Sequence, residues 1–171
     1  ELIKAKELGI PTIERADFLG KITTCFEDTI GVSGTHGKTT TTSMISICFV
    51  NAEKDPTIEV GAILDPIGGN YRVGNSEYFI TEACEYVESF LSLTPHCSIV
   101  LNIEEDHLDY FKDINQTIDS FYKASLNSKE VVTLSKINYQ IKEINNQFSK
   151  VIIDDEEYVL NIIGIHNIYN F

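Results

Sequence analysis

Basic residues are scarce: 13 lysines and arginines stand against 26 aspartates and glutamates, a formal net charge of −13. A protein that grips a nucleic-acid backbone clusters lysine and arginine against the phosphates. Nucleic acid is therefore excluded as a partner, and an anionic membrane surface with it. Cysteines are few and scattered. Cys25, Cys48, Cys84 and Cys97 form no C-x-x-C pair, and their wide spacing supplies neither a disulfide framework nor a zinc site. Isolated reduced thiols suit a cytoplasmic protein. No apolar run approaches the roughly 18 residues that a membrane span needs. The first residues, Glu1-Leu2-Ile3-Lys4-Ala5-Lys6, read as an amphipathic helix rather than a secretory leader. Internal repeats and low-complexity tracts are absent. None of this excludes a nucleotide, which arrives with a cation and meets local backbone dipoles rather than the net charge.

What is present is the material of one globular domain: 171 residues, 43% of them apolar. A chain of this length buries roughly 70% of the surface exposed on unfolding. Leu2 to Leu8 reads as the end of a helix closed by Gly9, and Pro11-Thr12-Ile13 as a short extended piece. A helix is expected over Glu14 to Phe26, where Ala16, Leu19, Ile22 and Phe26 fall near helical spacing. Thr29 to Ser33 reads as a buried strand. The next helix, Lys38 to Phe49, is expected to turn Met44, Ile45, Ile47 and Cys48 inward. Ile58 to Ile63, Tyr78 to Thr81, Cys97 to Leu101, Glu130 to Leu134, Val151 to Ile153 and Tyr158 to Ile163 read as strands. Helices are expected over Glu85 to Leu93, Ile114 to Leu126 and Tyr139 to Asn146, and the Gly- and Asn-rich stretch Asp65 to Ser76 reads as irregular. Alternating strands and helices predict an α/β fold, a mostly parallel sheet flanked by helices. The chain opens inside a helix and stops just after His166-Asn167-Ile168-Tyr169-Asn170 begins another, which implies a piece of a longer protein.

One segment carries chemistry on its face. The strand Ile30-Gly31-Val32-Ser33 delivers a turn, Gly34-Thr35-His36-Gly37-Lys38-Thr39-Thr40, that opens a helix. Gly34 and Gly37 let the backbone bend and approach phosphate oxygens. Successive N–H groups and the helix N-terminus supply donors and partial positive charge. Lys38 can reach the outer phosphates and Thr39 can place a hydroxyl on Mg²⁺. The common phosphate loop would require glycine at Val32; the spacing here is a shorter variant. The bland alternative is a glycine turn opening an ordinary helix, but packing does not explain Lys38 followed by four threonines. His36 is either a loop filler or a participant.

Gly34 to Met44 resembles the ATP loop of the Mur ligases, the cell-wall amino-acid ligases, and most of all the branch that joins L-alanine to UDP-N-acetylmuramate. Other stretches agree in order: Gly9-Ile10-Pro11 with Arg15-Ala16; Gly68-Gly69-Asn70-Tyr71-Arg72-Val73-Gly74 ahead of Thr81-Glu82-Ala83-Cys84-Glu85; Asn102 to Asp109, which resembles Asn-x-x-x-Asp-His-x-Asp; and Gly164 to Asn170, which resembles Gly-x-His-Asn-x-x-Asn. The resemblance spans most of the chain. Many members of that branch read Glu-Ala-Asp-Glu-Ser-Asp where this chain has Glu82-Ala83-Cys84-Glu85-Tyr86-Val87. Ile165 replaces the usual arginine, and Asp109 to Gly164 is short for the family.

The resemblance implies a P-loop-type ATP-binding domain over residues 28–171, incomplete and without the family's C-terminal domain, preceded in 1–27 by a remnant of the UDP-sugar domain and its linker. It implies ATP and Mg²⁺ as cofactors, UDP-N-acetylmuramate and L-alanine as small-molecule substrates, and ligation through an acyl phosphate, with the isolated piece inactive. The nucleotide falls to Gly34, Thr35, His36, Gly37, Lys38, Thr39 and Thr40, with His166, Asn167 and Asn170 at the base. The metal falls to Thr39, Glu82 and His107, and catalysis to Lys38, Glu82 and His107. Each has a plainer alternative: Glu82 a solvated acid at a strand end, His107 a bond between loops, Asn167 and Asn170 helix caps. Glu85 is a weaker metal candidate than Glu82, and Arg72 is either a substrate contact or a loop charge. Two other functions stay open: a recycling ligase that adds a whole tripeptide to the same sugar nucleotide, and a nucleotide-binding module without catalysis.

Overall fold

The computed structural model describes residues 1–171. Two helices, α1 (Leu2–Glu7) and α2 (Arg15–Thr23), lead into strand β1 (Asp28–Ser33), and helix α3 (Lys38–Asn51) follows it. Then come β2 (Thr57–Leu64), β3 (Gly69–Arg72), β4 (Tyr78–Glu82), β5 (Cys97–Val100), helix α4 (Ile114–Ser125) and β6 (Glu130–Thr133). These strands form a six-stranded sheet in the order β3-β2-β4-β1-β5-β6. Every neighbouring pair is parallel except β2 with β3, so the expected mostly parallel sheet is what forms. Strands β7 (Tyr139–Ile144), β8 (Ser149–Ile153) and β9 (Glu156–Leu160) make a separate antiparallel sheet of three, and α5 (Ile165–Asn170) follows.

Val32, Ile58, Val60, Phe79 and Ile80 are buried at the centre of the large sheet. On one face, α3 packs against β1, β2 and β4. The other face carries Ala83, Phe90, Leu93 and Phe121, with Leu19 of α2 packed against them. There α2 comes so near that a side chain on Gly20 would collide with the Ser92 carbonyl. Helix α4 begins where the pattern places it. Asp113 Oδ1 accepts from Gln116 N at 3.0 Å and Gln116 Oε1 accepts from Lys112 N at 2.8 Å, an exchange close to a capping box.

Four expectations need correction. In α3 the fully buried side chains are Thr41, Thr42 and Ser46, whereas Met44, Ile45, Ile47 and Cys48 line an outer groove of about 620 Å³ against β9. Small hydroxyl residues let the helix sit close to the sheet, and the turn before it sets its rotation. Tyr139 to Asn146 is not a helix: Tyr139–Ile144 pairs with β8, and Tyr139 and Ile141 pack on Val151, Leu160 and Ile168. Glu85 to Leu93 is not an α-helix either. Tyr86–Ser92 forms tight turns, broken where Val87 and Glu88 take left-handed φ of 46° and 57°. Finally, the stretch read as irregular contains β3. Its Arg72 donates to Asp55 Oδ1 at 2.5 Å and to the Pro56 carbonyl at 2.6 Å, so the guanidinium staples the edge of the sheet. The Arg72 bond, then the Asn75 backbone and side-chain bonds, hold the Asp55 carboxyl below its ordinary range.

Candidate phosphate and nucleotide site

Because β4 and β5 flank β1 in parallel, the segments leaving these strands emerge together at one edge of the sheet, where open α/β sheets bind ligands. The turn after β1 bends at Gly34, with φ of 145°, and at Gly37, with φ of 88°. A Cβ on Gly34 would lie 3.0 Å from Leu101 Cβ, and one on Gly37 would run into Asn170 Oδ1. Gly37 caps α3 without a side-chain bond. The first N–H groups of that helix, from Lys38 to Thr40, therefore face outward with no side-chain acceptor.

Asn102, which follows β5, braces the turn from outside. Its amide donates to the His36 carbonyl at 2.9 Å and accepts from His36 N at 2.8 Å, while its own carbonyl accepts from Thr35 N at 3.1 Å. Thr35 Oγ1 accepts from Glu104 N at 2.9 Å. Asn102 was not among the expected site residues. Its signal was its place, a polar side chain just past an apolar strand, but that β5 adjoins β1 is a fact of topology.

Lys38 Nζ donates to the Gly34 carbonyl at 2.6 Å, the Thr35 carbonyl at 3.3 Å and Glu85 Oε1 at 2.8 Å. An ammonium has three donors, so all are engaged. Glu85 is 2% exposed. The oxygen that takes Lys38 also lies 3.4 Å from His107 Nε2, and Glu85 Oε2 is buried with no partner. The structure thus gathers Lys38, Glu85 and His107 at one end of the turn. It takes Glu82 elsewhere. Glu82 Oε1 accepts from Gly61 N of β2 at 2.5 Å, and Glu82 lines a cavity of about 210 Å³ with Arg15, Glu59 and Cys84. No cluster of three or more His, Cys, Asp or Glu side chains is arranged to hold a metal ion.

At the other end of the turn lies a cavity of about 800 Å³, lined by His36, Gly37, Thr40, His166, Asn167 and Asn170 among others. Residues far apart in sequence thus line one cavity. Thr41 Oγ1 donates to the Asn170 carbonyl at 3.0 Å, which fastens α5 to α3. Asn167 spends its amide nitrogen on the Ile163 carbonyl at 2.8 Å and so caps a turn. His36 stands 3.9 Å from Glu104, both well exposed, with no tighter partner for its ring.

Strand, glycine turn, lysine and helix at the ligand edge of a parallel sheet define a phosphate-loop α/β domain. The description of the Mur ligase middle domain matches residues 32–129, more than half the chain, and the chain belongs to the Mur ligase family. It is 58% identical over 123 residues to the UDP-N-acetylmuramate–L-alanine ligase of Acetivibrio thermocellus, a match covering 72% of this chain and 26% of the relative. To the enzyme of the same name from Alkaliphilus metalliredigens it is 44% identical over 205 positions, covering 99% of this chain and 44% of that one. The chain thus spans less than half the length of these relatives. The second alignment is longer than the 171 residues here, so the relative carries extra residues inside the matched region. Among solved structures, UDP-N-acetylmuramate–alanine ligase MurC from Thermotoga maritima superposes with a TM-score of 0.86 at 25% identity, over 98% of this chain and 45% of that one.

Proposed function

We propose that this chain is the ATP-binding, phosphoryl-transferring part of a ligase that joins L-alanine to UDP-N-acetylmuramate in peptidoglycan precursor synthesis, in the cytoplasm. The observation that carries the reading is the Gly34–Thr40 turn, with Lys38 at one end beside Glu85 and His107 and the His166–Asn170 cavity at the other. The names borne by its relatives favour L-alanine over a tripeptide. Residues 1–27 are proposed to be a remnant of a sugar-nucleotide domain and its linker, with α2 of the linker packing on the ATP-binding part through Leu19. Helix α1 buries none of its residues here, and the family match begins only at residue 32.

The chain's own groups are placed to serve the phosphoryl-transfer step. The N–H groups that open α3 receive phosphate oxygens, and Lys38 exchanges its carbonyl and Glu85 partners for the outer phosphates. Charge building on the transferred phosphoryl group then meets donors already in place. An oxygen of the substrate carboxylate attacks the γ-phosphorus of ATP, the bond to the β-phosphate oxygen breaks and ADP leaves. The amine of L-alanine then attacks the carbonyl carbon of the acyl phosphate, inorganic phosphate leaves and the nitrogen gives up a proton. A Mg²⁺ ion fits the donor set. Glu85 offers a buried oxygen without a partner, and Thr39 and His107 complete the proposed ligands, although imidazole is not magnesium's preferred donor. When bound, the ion neutralises charge on the phosphates. Glu82 is proposed to serve from its own cavity beside Arg15, where a carboxylate can act on the cation through water.

Lys38→Ala tests the reading. Isothermal titration with ATP and Mg²⁺ is expected to show binding to the parent chain and a loss of at least about tenfold in the variant, since one charge-assisted bond contributes about 1.5–3 kcal/mol. Equal affinity in the two proteins would remove the phosphate-loop assignment.

A further inference from the structure

The two segments that carry Glu85 and His107 are tied to each other twice. Tyr86, next to Glu85, donates its hydroxyl to Asp109 Oδ2 at 2.9 Å. Tyr110, just past His107, donates in return to Glu88 Oε2 at 3.0 Å. Each segment thus sends a phenol to the other's carboxylate, and neither can slide without breaking both bonds. Glu88 is fixed in turn by Ser120 of α4, whose hydroxyl donates to its other oxygen at 2.9 Å. The Tyr86 ring lies tilted over the His107 imidazole, with centroids 4.7 Å apart, and meets Tyr110 edge-on at 6.4 Å.

The backbone beneath is bent to match. Val87, Glu88 and His107 all have positive φ, at 46°, 57° and 52°, a region that residues with side chains occupy only where their surroundings hold them. The His107 carbonyl accepts from the N–H groups of Tyr110 and Phe111 at 2.8 and 2.9 Å, and Phe111 is 1% exposed. His107 is therefore anchored from below through its backbone. Its ring has a single aromatic neighbour, Tyr86.

We propose that Tyr86, with Tyr110 as its reciprocal partner, is a positioning residue that holds the His107 imidazole beside Glu85 and so sets the geometry at the phosphate-and-cation end of the turn. This rests on the reading of Lys38, Glu85 and His107 as that end. Tyr86 touches neither phosphate nor reacting atoms in this role; it acts through His107.

Three variants separate ring from tie. Tyr86→Phe keeps the ring and drops the bond to Asp109, Tyr110→Phe drops only the return bond, and Tyr86→Ala removes ring and bond together. The first readout is the order of the His107 ring by NMR relaxation in the 171-residue chain. It should fall in Tyr86→Ala, and less in the two phenylalanine variants, while the amides of β1 and α3 keep the parent's order. The second is calorimetry with ADP, with and without Mg²⁺. Metal-free affinity should match the parent's, and the gain on adding Mg²⁺ should shrink about tenfold in Tyr86→Ala, the usual cost of losing a group that orients a ligand. A His107 ring as ordered in Tyr86→Ala as in the parent overturns the proposal. So does a loss of both affinities in equal proportion with a lowered melting temperature, which marks a merely structural residue. Should Tyr86→Ala fail to fold, the phenylalanine variants decide by ring order alone. A parent chain that binds no ADP would remove the proposed function, and His107 order would still judge the positioning role.

Discussion

Lys38 has no donor to spare: two loop carbonyls and Glu85 take all three. Any phosphate that arrives must displace at least one of them, and Glu85 is the partner with most to lose. With Lys38 drawn away, its carboxylate would stay buried with one oxygen bare, a costly state unless a cation replaces the ammonium. Glu82 is placed differently, bonded to a backbone N–H in a cavity shared with Arg15. Neutralising the two acids should therefore have unequal effects. Glu85→Gln is expected to reduce stability to urea by about 1–3 kcal/mol, because it leaves Lys38 facing a weaker acceptor. In the full-length enzyme it should raise the Mg²⁺ requirement by more than Glu82→Gln does. Glu82→Gln should lower kcat more than ATP affinity, since the cation it helps to hold is needed most as negative charge builds on the phosphoryl group during transfer. Urea titration and turnover at limiting Mg²⁺ check both, and a Glu85→Gln protein of normal stability and normal Mg²⁺ demand would show that the buried pair is idle. The turn itself was readable from the sequence because glycine, lysine and threonine at that spacing have few other uses. The choice of Glu85 over Glu82 beside Lys38 was not, because the path of the three residues after β4, Ala83 to Glu85, decides which carboxylate lies beside the loop.

Helix α3 shows why element faces are harder to read than element types. Its length was legible from one glycine turn to the next polar stretch, and Lys38–Asn51 is helical. Its inner face was not, because hydrophobicity pointed to Met44, Ile45 and Ile47 while the sheet received Thr41, Thr42 and Ser46. Of these, Thr42 Oγ1 and Ser46 Oγ are buried without a hydrogen-bond partner. Deleting such a hydroxyl removes a desolvation cost and leaves little space behind. Ser46→Ala is therefore expected to be neutral or to stabilise by up to about 1–2 kcal/mol, read as a rise in thermal midpoint. A clear fall would mean that the hydroxyl has a partner in solution. Strand β7 makes the complementary point. Tyr139, Ile141 and Ile144 satisfy a strand at the first pair and a helix at the second, and a six-residue segment carries too little pattern to separate the two. Pairing with β8 settled it. The left-handed residues Val87 and Glu88 were invisible for another reason: neither is glycine or asparagine, so nothing local announces a turn.

At the scale of the whole molecule, ligation needs three reactants held together, and most of the rate in such a reaction comes from that proximity. This 171-residue chain covers 44% of the length of the Alkaliphilus enzyme. It is expected to bind nucleotide and to form no UDP-N-acetylmuramoyl-alanine by itself; product detected by mass spectrometry from the chain alone would contradict this. Supplied with L-alanine or with a tripeptide, the full-length protein should use the former. What the sequence determined by itself were the local matters: a glycine–lysine–threonine turn, the proposed phosphate site, written in contiguous residues, and the alternation of strands and helices that leads to a parallel sheet. Tertiary structure alone decided which distant groups meet. It set Asn102 against His36, Glu85 between Lys38 and His107, and Asn170 against Gly37. The physical reason is that strand order, which no single strand encodes, places the ends of β4, β1 and β5 side by side, and a side chain's partner is fixed by that adjacency rather than by its place along the chain.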